Sequence, residues 1–101
     1  MELINAVIVP VGEKPYTEVI SNDLKTMQEI VGGYIEVYPI SNSLLVICDE
    51  EGKLKGKSAN RAIGRELIVG NFFIVGNGED GEFRGLSDDE ANAMLSRFDN
   101  F

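Results

Sequence analysis

The stretch from residue 34 to residue 52, YIEVYPISNSLLVICDEEG, decides the fold. In its first part the apolar Ile35 and Val37 alternate with Glu36 and Tyr38, the period of two expected of a strand with one wet face. Pro39 has no amide to donate to a ladder, so it belongs at that strand's end or on a sheet edge. Ser41-Asn42-Ser43 is a turn. Residues 44–48, Leu-Leu-Val-Ile-Cys, are then apolar on both faces, as a central strand is. Asp49-Glu50-Glu51-Gly52 is the next turn.

Upstream, residues 3–11 alternate and then run apolar, which predicts a first strand. A turn at Gly12–Pro15 and a short strand over residues 16–20 make it a hairpin. Ser21-Asn22-Asp23 offers helix caps, and Leu24, Met27, Ile30 and Val31 recur at helical spacing. Gly32-Gly33 ends that helix, because glycine tolerates the left-handed conformation that follows a last turn.

Downstream, residues 53–57 read as a short return strand and residues 58–65 as irregular chain or a single helical turn. Residues 67–69 and 72–75 are apolar pieces separated by Gly70-Asn71, the second a buried strand. Asn77-Gly78-Glu79-Asp80-Gly81 is rich in turn formers, and residues 82–85 pair back across it. Ser87 with Glu90 is a capping box opening a final helix, whose inward stripe is Ala91, Met94, Leu95 and Phe98. Many strands, tight turns and two helices predict an α+β fold. Its architecture is an antiparallel or mixed β-sheet with the two α-helices packed mainly on one face.

The chain has 101 residues, 44% of them hydrophobic, which predicts one domain over residues 1–101 with a single core. It contains no histidine and one cysteine. That removes the commonest general base and the usual cysteine/histidine zinc sites, so neither a metal nor a cofactor is expected. Cys48 excludes an internal disulfide and reads as a small buried hydrophobe. The N-terminal residues lack the pattern of a secretory signal, and no apolar run approaches the length of a membrane span. The expected setting is therefore cytoplasmic, with no membrane partner.

The formal net charge is -8. Such a balance repels phosphate backbones and argues against nonspecific nucleic-acid binding, while leaving open an acidic surface for a basic partner. Within the acidic chain one segment is basic. Lys53, Lys55, Lys57, Arg61 and Arg65 hold five of the nine basic residues, and no acid falls between Gly52 and Arg65. On an extended segment the three lysines would project from one face. Asn60-Arg61 next to them suits a phosphate or carboxylate. The competing reading is internal pairing of these cations with the acidic turns, or lysines guarding a strand edge. Tyr34 and Tyr38 either present a stacking surface on the third strand or simply cover the sheet.

Two near-motifs fail. Residues 52–58, GKLKGKS, carry three residues between glycines where a phosphate-binding loop needs four. Residues 77–82 lack the carboxylate spacing of a calcium loop.

The order of segments resembles the domain of unknown function 3846 family. The resemblance lies in Val31-Gly32-Gly33-Tyr34-Ile35-Glu36-Val37, in Cys48-Asp49-Glu50-Glu51-Gly52-Lys53-Leu54, and in Asn60-Arg61-Ala62. It continues through Gly70-Asn71-Phe72-Phe73-Ile74-Val75-Gly76, Phe83-Arg84 and Leu86-Ser87. That resemblance implies a small protein of phages, plasmids or conjugative elements without an established enzymatic activity. The family's Asn-Arg pair falls on Asn60 and Arg61.

The leading expectation is a non-enzymatic accessory protein that binds a host or mobile-element macromolecule, including one of a host defence. The alternative is a protein that binds or sequesters a nucleotide or other small anion. For either, the candidate residues are Lys53, Lys55, Lys57, Asn60, Arg61, Arg65, Tyr34 and Tyr38. A weak enzyme using carboxylates or lysine and serine is a third expectation, and self-association through a sheet edge is compatible with all three.

Overall fold

A computed structural model describes residues 2–100. The apolar runs become strands β1 (Leu3–Val9), β2 (Tyr16–Ser21), β3 (Ile35–Pro39), β4 (Leu44–Asp49), β5 (Ala59–Ile63), β6 (Glu66–Val69), β7 (Phe72–Asn77) and β8 (Phe83–Arg84). The helices are α1 (Leu24–Val31) and α2 (Asp88–Arg97). The strand order in the main sheet is β2-β1-β7-β4-β3, with β8 also paired to β7, and β5 and β6 form a separate two-stranded hairpin. Every pairing is antiparallel. The α+β class and the antiparallel sheet are thus as expected, and Pro39 ends the edge strand β3.

The helices do not share a face. Alternate residues of β4 and β7 point to opposite sides, and both sets are apolar, so each side needs its own cover. Leu45, Ile47, Phe73 and Val75 pack with Met27 and Val31 of α1. Val46, Cys48, Phe72 and Ile74 pack with Ala91, Met94 and Phe98, and with Ile63 and Ile68 of the β5–β6 hairpin. The hairpin shares the second face with α2, whose C-terminal end sets Phe98 edge-on to Phe72, the ring centroids 5.5 Å apart.

Residues 53–57 are a tight turn rather than a return strand. The amides of Lys55 and Lys57 bond to the carbonyls of Glu51 (2.9 Å) and Gly52 (3.0 Å), and Gly56 takes φ +70°. Residues 58–65, expected to be irregular or helical, carry β5. Its register shifts between Ala59 and Arg61, which breaks the period of two that would have marked it as a strand.

Both helices are capped as their sequences suggest. The Asp23 carboxylate accepts the Thr26 amide at 2.8 Å, which lowers its pKa, and Gly32 closes α1 at φ +79°. At α2 the Ser87 hydroxyl accepts the Glu90 amide (3.2 Å), while the Glu90 carboxylate accepts the Ser87 amide (2.9 Å). Replacing Ser87 with alanine is expected to cost about 1 kcal/mol and to lower the melting midpoint by about 5 °C, measured by circular dichroism. Among the described residues no helix is long and apolar enough to cross a membrane.

Candidate functional site

The basic segment begins where β4 runs into the turn, and three of its five cations, Lys55, Lys57 and Arg61, are directed inward. Asp49, the last residue of β4, has a side chain with no solvent exposure. Its Oδ2 lies 2.9 Å from Lys55 Nζ and 2.7 Å from Lys57 Nζ. Its Oδ1 accepts the Glu51 amide at 2.9 Å. Burial alone would raise this carboxyl. The hydrogen bonds from Lys57, Lys55 and the Glu51 amide outweigh it and bring the pKa down to about 2.

The same two ammonium groups reach the C-terminus of α1. Lys57 Nζ donates to the Val31 carbonyl (2.6 Å) and Lys55 Nζ to the Gly32 carbonyl (3.1 Å). Both therefore sit at the negative end of the helix dipole. Gly33 makes this approach possible: a Cβ there would stand 2.6 Å from both Asp49 Oδ1 and Lys55 Nζ. Lys55, Lys57, Asp49 and the end of α1 form one latch.

Asn60 and Arg61 also turn inward. The Asn60 amide donates to the carbonyls of Val9 and Gly70, both at 2.9 Å, and so ties β5 to the ends of β1 and β6. Arg61 is buried. Its Nε and one terminal nitrogen donate to the Phe98 carbonyl (3.1 and 2.9 Å), the latter nitrogen also to the Glu13 carbonyl (2.9 Å), and the other to Asn60 Oδ1. Burial pulls the pKa of this guanidinium down, partly offset by Asp99. Arg61 fastens the end of α2 and the β1–β2 turn to the hairpin.

The remaining candidates lie elsewhere. Lys53 pairs with Glu66 at 3.1 Å on the surface, and Arg65 is exposed in the turn between β5 and β6. Tyr34 is 65% exposed, whereas Tyr38 is half-buried against the core on the α2 side. The eight residues therefore do not converge on one anion-facing surface. Lys55 and Lys57 pair internally with Asp49, while Arg61 donates to backbone carbonyls and to Asn60. A groove of about 360 Å³ does run beside Lys57, between Ile30 and Asn71, yet that ammonium already faces Asp49 and Val31. Among the described residues no buried side-chain nitrogen or oxygen lacks a partner.

A different concavity was missed in the sequence. Between β3, β4, the 50–57 turn and β6 lies a cleft of about 250 Å³, lined by Glu36, Glu50, Glu66, Lys53, Leu54 and Leu67 among others. Glu36 and Cys48 are cross-strand partners at its base. Burial, helped by Glu36 and Asp49, pushes the Cys48 thiol up to about 11, which favours the thiol over the thiolate near neutral pH. Among the described residues no three carboxylate or thiol groups gather closely enough to hold a metal ion. The sequence signal was faint: leucines at 54 and 67 inside charged surroundings, with carboxylates contributed by separate elements.

One family model, described as a domain of unknown function (DUF3846), matches residues 4–99. No curated protein and no solved structure matches the chain.

Proposed function

The chain belongs to the domain of unknown function 3846 family, and from that premise we propose that it is a non-enzymatic accessory domain that docks on a basic protein. In this reading it is a cytoplasmic product of a phage or other mobile element. Its partner is a protein of the host, including one of a host defence, or of the element itself.

The observation that carries the reading is the direction of the charges. The cations of Lys55, Lys57 and Arg61 lie on Asp49 and on backbone carbonyls. Most of the carboxylates, in contrast, are on the surface. What the fold offers a partner is therefore anionic, at a net charge of -8, and such a field steers basic surfaces toward it. The same inward pairing weakens the anion-binding alternative, because a phosphate would have to displace Asp49 or the helix carbonyls from the lysines.

The test is affinity capture from host lysate at increasing salt, beside a thermal-shift series with nucleotides and inorganic phosphate. One protein is expected in stoichiometric amount, released as salt screens the surface charges, with a melting midpoint that no anion moves. A midpoint raised by phosphate or a nucleotide, with no protein captured, overturns the reading, since a ligand that binds only the folded state must stabilise it.

A further inference from the structure

The cleft beside the 50–57 turn has a particular chemistry. At about 250 Å³ it is smaller than the pockets that enclose cofactors or drug-sized ligands, and suits a single side chain. Leu54 at its mouth is 87% exposed and Leu67 is 45% exposed. Scattered single leucines on a surface need no explanation, but Leu54 is not on a loose loop. The Gly56 amide bonds across it to the Lys53 carbonyl (3.1 Å), inside the turn that Asp49, Lys55 and Lys57 lock to α1. An apolar side chain held out on a stiff support loses little freedom on binding.

The polar lining is anionic. Glu36 and Glu50 are exposed, and Glu66 carries the surface pair with Lys53. Lys53 is the only basic residue lining the cleft among the described residues. The solvent-facing carboxylates come from β3, the turn and β6, beside the buried Asp49 of β4, and among the described residues no such groups gather tightly enough for a metal ion. An extended organic cation fits better than a point charge. A guanidinium is planar and weakly hydrated, rests on aliphatic surface and forks to carboxylates, which an ammonium does not do.

We infer that this cleft receives an arginine side chain of the partner protein, from a segment that places apolar residues beside it on Leu54 and Leu67. The inference rests on the docking reading above and names its surface and the chemistry of its partner.

The test is an amide NMR titration of the full chain with the peptide acetyl-Leu-Arg-Leu-amide and its control acetyl-Leu-Glu-Leu-amide. The arginine peptide is expected to give saturable shifts at Glu36, Glu50, Leu54 and Leu67, and the control none. Leu54→Ser is expected to weaken the arginine peptide about tenfold without moving the melting midpoint, and Glu66→Gln to weaken it less. Equal shifts from both peptides, or shifts centred on Glu79, Asp80 and Glu82, overturn the assignment. So does spermidine reproducing the whole pattern at the same concentration, which marks a site for free polycations. Shifts of the same amides on changing protein concentration alone mark a second copy as the occupant and also overturn it. The two readings fail separately. Undiminished capture of the same lysate protein by Leu54→Ser overturns the cleft and leaves docking standing. A wild-type chain that captures nothing overturns docking and this inference with it.

Discussion

Arg61→Met is expected to lower the unfolding free energy by about 3 kcal/mol, read from the urea midpoint at constant slope. The side chain is buried and donates to the carbonyls of Phe98 and Glu13. Methionine fills much of the same volume but leaves those oxygens without their donor, and a charged hydrogen bond of this kind is worth about 1.5–3 kcal/mol. Small domains have only about 5–15 kcal/mol of stability, so the loss is a large fraction of the whole. Arg61→Lys is expected to recover part of it, because an ammonium cannot span the geometry that the guanidinium fork spans. Arg61→Glu is expected not to fold, since it sets a carboxylate against carbonyl oxygens. Arg65→Met, on the exposed turn of the same hairpin, is the control and leaves the midpoint unchanged. A loss under about 1 kcal/mol for Arg61→Met would falsify the clasp between the hairpin and α2.

Asp49→Asn is expected to cost about 2 kcal/mol at neutral pH, with a difference from wild type that closes in acid. Breaking a fully buried ion pair costs about 3–5 kcal/mol. Here the lysines keep side-chain exposures of 39% and 25% and regain some water, so the lower figure applies. The folded-state carboxyl lies at about 2, below its ordinary 3.8. A depressed carboxyl stabilises the fold above its unfolded pKa, and that contribution disappears as pH falls through the folded value. Wild-type stability should therefore drop between about pH 4 and pH 2, and the asparagine variant should drop less. Glu90 contributes the same further slope in both proteins, because the Arg84 hydrogen bond holds it at about 2 against an ordinary 4.5. Chemical denaturation at several pH values makes the comparison. A gap between the two proteins that is the same at pH 2 and pH 7 contradicts the latch.

Much of the fold was legible because its signals are local. The alternation at Ile35 and Val37, the doubly apolar run at 44–48, the glycines after Val31 and the capping box at Ser87 each specify their own segment. The doubly apolar run already required cover on both faces. Both helices on one face would leave the other side bare, and α1 on one side with α2 and the β5–β6 hairpin on the other supply that cover. That hairpin stayed hidden because the register shift after Ala59 breaks the strand period there. The basic segment was legible as a composition but not as a geometry. Whether Lys55 and Lys57 face outward depends on Asp49 and on the C-terminus of α1, and no local rule brings those together. The cleft was less visible still, because its carboxylates come from β3, β4, the turn and β6.

The position of β7 has a consequence in time. Val7 of β1 stands beside Ile74, and Val46 of β4 stands on the other side of the same residue. The β1–β2 and β3–β4 hairpins can each close over short loops, and α1 packs on both, but among the described residues no strand pairs with both until the strand at 72–77 is available. During synthesis Val7, Val9, Val46 and Cys48, on the side away from α1, must therefore wait uncovered, and the joining step closes long loops, which slows folding. A ribosome-bound chain ending before Phe72 is expected to stay protease-sensitive, and one extending past α2 to become resistant in a single step.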